Sequence, residues 1–138
     1  SERITTLVAE AEALPFAEGS FDAVSVAFGV RNFHNIAGGL SEMYRVLGFG
    51  GAVCIVEFSI PRGWFFGPLF RFYFHRILPL VGGLVSKDKK AYGYLPSSVD
   101  EFPAPAEFLQ MMREAGFTYC VDRPLTGGVA HIYTGLKR

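Results

Sequence analysis

Phe21-Asp22-Ala23-Val24-Ser25-Val26-Ala27-Phe28-Gly29-Val30-Arg31-Asn32 begins as a continuous apolar run and then breaks at a glycine into polar side chains. A run of this kind reads as a β-strand covered on both faces, and such strands belong to parallel sheets. Residues 29–35 read as the turn that follows. Downstream, residues 36–47 carry Ile36, Leu40, Met43, Tyr44 and Leu47 at spacings of three and four, which predicts an amphipathic helix. Gly48-Phe49-Gly50-Gly51 reads as its end, and 52–58 as a second buried strand. Upstream, 4–9 is a short β-branched and apolar run read as a strand, and 11–20 is a loop punctuated by Pro15 and Gly19.

Toward the C-terminus, 104–115 predicts a second helix with Phe108, Leu109, Met111 and Met112 apolar and Gly116 as its C-cap. Residues 117–122 and 129–136 read as two closing strands joined by a short connection, hence antiparallel. Strand–helix–strand alternation places the chain in the α/β class, with a mostly parallel sheet and a C-terminal antiparallel strand pair.

Thirteen basic and thirteen acidic residues cancel, which argues against a general nucleic-acid binder. The balance conceals an asymmetry. Residues 59–90 hold six basic side chains and one acid, leaving seven basic and twelve acidic elsewhere. Within that cationic stretch Trp64, Phe65, Phe66, Phe70, Phe72, Tyr73 and Phe74 place seven of the 21 aromatics in eleven residues. Residues 64–85 are long enough to span a bilayer, for which about 20 apolar residues suffice. Arg71, His75 and Arg76 in mid-segment, with Pro68 and Pro79, argue against a span. The stretch 61–103 therefore reads as a helical aromatic insertion. It either buries its aromatics on the sheet as a lid or forms a substrate mouth resting on a membrane surface. Cys54 and Cys120 each sit in apolar runs and read as inert buried thiols, and no Cys/His cluster has metal-ligand spacing. Nothing in the opening Ser-Glu-Arg suggests a secretion signal.

Several fragments share a further pattern. Glu10-Ala11-Glu12-Ala13-Leu14-Pro15-Phe16 resembles the adenine-side motif of class I methyltransferases. Phe28-Gly29-Val30-Arg31-Asn32 resembles the signature of the ubiquinone/menaquinone biosynthesis C-methyltransferase family. Glu42-Met43-Tyr44-Arg45-Val46-Leu47, Glu57-Phe58-Ser59, Ala91-Tyr92-Gly93-Tyr94-Leu95, Ala115-Gly116-Phe117 and Leu125-Thr126-Gly127-Gly128 follow in that family's order. The chain departs from the pattern at Glu10, usually Asp, and at Gly48-Phe49, usually Lys-Pro. The family's glycine-rich loop belongs upstream of Glu10, where this chain has nine residues and no glycine.

The resemblance implies one truncated, Rossmann-like class I domain over 1–138 that lacks the N-terminal S-adenosylmethionine loop, with 61–103 as a lid or substrate insertion within it. It implies S-adenosylmethionine as cofactor and C-methylation of a prenylated quinol, a demethylmenaquinone or ubiquinone intermediate, in the cytoplasm and peripheral to the inner face of the membrane. This chain alone is then expected to be inactive. The rival readings are a noncatalytic quinone- or lipid-binding scaffold, or a methyltransferase for another hydrophobic acceptor such as a sterol.

Residue by residue, the resemblance makes Arg31 and Asn32 line the methyl-transfer site. Position supports Arg31, because ligands of open α/β sheets bind beyond the carboxyl ends of strands. By the same resemblance the Glu10 carboxylate accepts from the adenine amino group, with Glu12 two residues away as an alternative. The Ala11 backbone meets the adenine ring, and Phe28 and Gly29 border the methionine part. Phe70, Tyr73 and Tyr94 are the candidates for the substrate, Tyr94 reaching the quinol oxygens or serving only structure. No general base stands out, and His34, His75 and His131 receive no role. In the family's strand order the strand from Phe21 normally pairs with one absent here. Its open edge is expected to be covered by self-association or by the chain's own N-terminal residues.

Overall fold

The computed structural model describes residues 3–59, 72, 76 and 102–138. Strand β1 (Phe21–Ala27) runs parallel to β2 (Leu47–Phe58), with Ala23 opposite Ala52 and Ala27 opposite Val56. Helix α1 (Ile36–Val46) makes the crossover between them. Asn35 caps its start, the side-chain oxygen accepting from the Gly38 N–H at 3.0 Å, which satisfies a donor the first turn leaves orphaned. Leu40, Met43 and Val46 give α1 its buried face.

Helix α2 (Pro105–Ala115) opens with proline in its first turn, where a missing N–H costs nothing. Phe108 and Met112 are its buried residues, one turn apart. Gly116 ends it as expected, in the left-handed region at φ 116°. Strands β3 (Thr118–Leu125) and β4 (Ala130–Leu136) close the sheet, in the order β1-β2-β4-β3. The parallel part is the β1–β2 pair; β4 is antiparallel to both β2 and β3.

Both helices pack on one face of the sheet. That face presents Val53 and Ile55 from β2 and Tyr133 from β4, all essentially inaccessible, and the Phe108 ring meets Tyr133 edge-on at 4.5 Å. Burying a side chain such as Phe108 contributes roughly 2–3 kcal/mol.

Four expectations are corrected. Residues 4–9 form no strand: Ile4 and Val8 are exposed, and Glu10 makes only an isolated bridge to Ala13. A strand exists through its partner's hydrogen bonds, and this segment docks on none. It therefore does not cover the outer edge of β1. β1 is also not enclosed on both faces: Ala23, Ser25 and Ala27, on the face without helices, are exposed, and Val24 and Val26, at the sheet's edge, are only half-buried. Next, β2 starts at Leu47 directly from the helix, so the glycines at 48, 50 and 51 lie within the strand and do not form a separate loop. Finally, Cys54 and Cys120 are half-buried. Cys54 alternates with Val53 and Ile55 and so falls on the face without helices. Of the 61–103 insertion, only Phe72, Arg76, Phe102 and Pro103 are described; the substrate candidates Phe70, Tyr73 and Tyr94 lie outside the described residues.

Candidate functional site

At the carboxyl end of β1 the backbone turns sharply. Phe28 takes φ 59°, a left-handed conformation uncommon for a bulky residue, while its N–H donates to the Val56 carbonyl at 2.8 Å. Its ring stacks on Phe58 with centroids 4.4 Å apart. Gly29 then leads into a 3-10 turn, Val30–Asn32, closed by the Asn32 N–H on Gly29 O and the Phe33 N–H on Val30 O, both at 3.0 Å. Val30 is fully buried and pins the turn to the core.

Between Val30 and Asn32, Arg31 is fixed by a residue that sequence reasoning left without a role. Glu57, on β2, is 1% exposed. One of its oxygens accepts from the Arg31 backbone N–H at 3.1 Å; the other accepts from Arg31 Nη1 at 2.9 Å and from the Phe58 N–H at 3.0 Å. Nη1 also donates to the Phe28 carbonyl. The guanidinium carbon lies 5.5 Å above the Phe58 ring, and the side chain is 12% exposed. Arg31 Nε is buried and makes no hydrogen bond to a described residue. A buried carboxylate is costly unless paired and hydrogen-bonded, and Glu57 meets both conditions. The signal was available in the sequence: an acid in an apolar strand, in phase with Val53 and Ile55, has to find a cation.

Arg31 lines a cleft of about 530 Å³ together with Phe33, His34, Asn35, Ile36, Ala37, Phe102 and Met111. Polar groups sit along the turn, and Phe33, Ile36, Phe102 and Met111 make the apolar part. Asn32 is exposed and contributes its backbone to the turn. His34 lines the same cleft. His131 lies elsewhere, opposite Glu57 in the β2–β4 register, with Nδ1 2.5 Å from Asp122 Oδ1.

The loop that carries Glu10 to Phe16 is tied to α1 at several points. Asn35 N–H donates to Glu12 Oε1 at 2.8 Å, and this hydrogen bond holds the Glu12 carboxyl below its ordinary pKa, with the nearby His34 adding to the effect. Arg45 donates to the Phe16 carbonyl at 2.8 Å and to the Leu14 carbonyl at 3.0 Å. Glu12 thus has a structural task, while the neighbouring Glu10 carboxylate is exposed and makes no hydrogen bond to a described residue. An open carboxylate beside the half-buried Ala11, with the Phe28-Gly29 turn at the strand end, fits a nucleoside-bearing cofactor. Among the described residues no three His, Cys, Asp or Glu side chains gather as metal ligands, and no helix is long and apolar enough to cross a membrane.

Known proteins share both the sequence and the architecture. The model of the ubiE/COQ5 methyltransferase family matches residues 1–137. The ubiquinone/menaquinone biosynthesis C-methyltransferase UbiE of Geotalea uraniireducens is 50% identical over 135 residues, which are 98% of this chain and 57% of that protein. The demethylmenaquinone methyltransferase of Thermus thermophilus is 50% identical over 129 residues, 94% of this chain and 58% of that one. The chain thus spans a little over half the length of these relatives. A crystal structure of a SAM-dependent methyltransferase from Thermotoga maritima superposes with a TM-score of 0.64 at 18% identity, covering 98% of this chain and 65% of that one, so the fold is that of SAM-dependent methyltransferases. With the Phe28–Asn32 turn, the crossover and the closing antiparallel pair in place, the chain belongs to the ubiE/COQ5 methyltransferase family.

Proposed function

We propose that the protein to which these residues belong transfers a methyl group from S-adenosylmethionine to a ring carbon of a prenylated quinol, a demethylmenaquinone or ubiquinone intermediate. One observation supports this above the rest: Arg31, held by Glu57 at the carboxyl end of β1, lines a cleft with an apolar wall. When bound, the cofactor supplies an electrophilic methyl carbon on a sulfonium. The chain's own residues supply orientation and electrostatics. A quinol ring carbon becomes nucleophilic as the neighbouring hydroxyl loses its proton, and a fixed donor stabilises the charge developing on that oxygen. Arg31 is the donor, and Phe33, Ile36, Phe102 and Met111 receive the ring and the start of its apolar tail. Asn32 completes the turn beside it; Glu10, Ala11, Phe28 and Gly29 hold the cofactor side. Phe70, Tyr73 and Tyr94 enclose the acceptor from the insertion, whose cations and aromatics rest on the cytoplasmic face of a membrane. The outer edge of β1 provides the contact through which this chain self-associates.

The test joins this chain to the part of the Geotalea relative that it does not span and follows methyl incorporation into demethylmenaquinol and a sterol side by side. Methylation of the quinol alone is expected, with Arg31→Ala lowering kcat by about 100-fold, the scale for one lost donor at a developing oxyanion. Sterol methylation at an equal rate, or quinone binding without any methyl transfer, would refute the reading.

A further inference from the structure

We infer that Glu57 is the positioning counter-ion of the acceptor site: it aims Arg31 into the cleft while cancelling its charge, so that the cleft takes an uncharged ring in preference to an anionic one. The inference rests on reading the cleft as the quinol site.

The turn alone needs only an acceptor for the Arg31 and Phe58 backbone N–H groups, which a neutral side-chain amide would supply without a charge. Glu57 does more. Beyond those two donors it takes Arg31 Nη1 at 2.9 Å, on a guanidinium whose side chain is 12% exposed. No other acid lines the cleft or contacts Arg31 among the described residues, so among them this pair sets the charge beside the guanidinium. Pairing engages Nη1, while Nη2 makes no hydrogen bond to a described residue and Nε is itself buried. The guanidinium therefore still offers donors while the pair as a whole is neutral.

Neutrality has two chemical consequences. A sulfonium cation is repelled by an uncompensated guanidinium nearby, and the repulsion is strong where water is scarce. A ring that arrives with a full negative charge gives up its hydration and finds the attraction of Arg31 partly offset by Glu57, whereas charge that develops on a ring already bound meets a donor already in place. A neutral quinol takes the hydrogen bond and loses nothing. Removing the Glu57 charge leaves Arg31 unbalanced and should turn the cleft toward anions.

Two rings of the same shape separate these cases in the 138-residue chain itself: neutral 2-methyl-1,4-naphthoquinone and 2-hydroxy-1,4-naphthoquinone, an anion at neutral pH. Binding is read by quenching of intrinsic fluorescence. The wild-type chain should bind the neutral ring more tightly. Glu57→Gln should shift the ratio of the two Kd values toward the anion by about tenfold, a factor within reach of one unbalanced charge at contact range. The double substitution Arg31→Leu with Glu57→Leu should restore preference for the neutral ring. If Glu57→Gln fails to fold, Arg31→Gln carries the test with the opposite sign, since an unbalanced Glu57 repels the anion further. An unchanged ratio with wild-type binding of the neutral ring intact would overturn the counter-ion role alone. Failure of the wild-type chain to bind either ring would overturn the acceptor-site reading with it.

Discussion

The two faces of the same sheet differ sharply. On one, Val53, Ile55, Glu57, His131 and Tyr133 are buried beneath α1 and α2. On the other, Ala52, Cys54, Val56 and Phe58 of β2 and Ala130, Ile132 and Leu136 of β4 are half-buried, and Val121 and Leu125 of β3 are largely exposed. The strands present apolar side chains toward both sides. Apolarity therefore records which faces a strand is suited to bury, while burial itself depends on what is docked there. The covered face is also where the chemistry gathers, because a helix-covered strand end lets Glu57 stay dry enough to hold Arg31.

Energetics should follow the faces. Phe108→Ala removes a ring packed against Tyr133 and Phe102 and is expected to cost about 3–5 kcal/mol. Ile132→Ala, on the open face, should cost about 1 kcal/mol, since a half-exposed side chain forfeits less transfer energy and leaves no closed cavity. Urea unfolding followed by circular dichroism measures both. Equal losses would show that the second face is as well covered as the first.

A smaller effect tests how tightly the covered face is packed where α2 ends. At Gly116 a Cβ would stand 2.8 Å from the Tyr44 ring, on a backbone with φ 116°. Gly127 shares a left-handed backbone, φ 69°, but has nothing within 4 Å of the same atom. Gly116→Ala should therefore lose about 2–3 kcal/mol, combining backbone strain with overpacking, and Gly127→Ala about 1 kcal/mol from strain alone. If thermal unfolding gives the same loss for both, the Tyr44 contact is softer than the geometry indicates.

Much of this was legible in the sequence for local reasons. The Phe28–Asn32 turn announces itself by an apolar strand ending at a glycine followed by polar residues, and both helices by their spacing. Residues 4–9 misled because β-branched composition says nothing about whether a partner edge is near. The glycines at 48, 50 and 51 misled because a helix stop and a glycine-bearing strand start look alike. The cleft was less legible than the fold. Phe102 and Met111 reach it from 71 and 80 residues beyond Arg31, and only the packing of α2 against α1 brings them there. Arg45 reads as an ordinary helical arginine until its contacts with the Leu14 and Phe16 carbonyls are seen.

The smallest effect concerns the loop before β1, where Glu12 is tethered to the start of α1. Its carboxyl is held below the ordinary range chiefly by the Asn35 N–H. The charged form is the one the folded state favours. The contribution is therefore fully present above the unfolded-state pKa and is lost as pH falls through the lower folded-state value. Glu12→Gln keeps an oxygen acceptor but removes the charge, so the two proteins should differ at neutral pH and converge in acid. Because the group lies at the surface, the difference belongs to local opening and not to global unfolding. Hydrogen exchange at the Asn35 amide should be several-fold faster in Glu12→Gln at neutral pH, with the gap closing once Glu12 itself is protonated. A gap that persists in acid would assign the tether to the shape of the side chain and not to its charge, and the loop would then be held to α1 by Arg45 and packing alone.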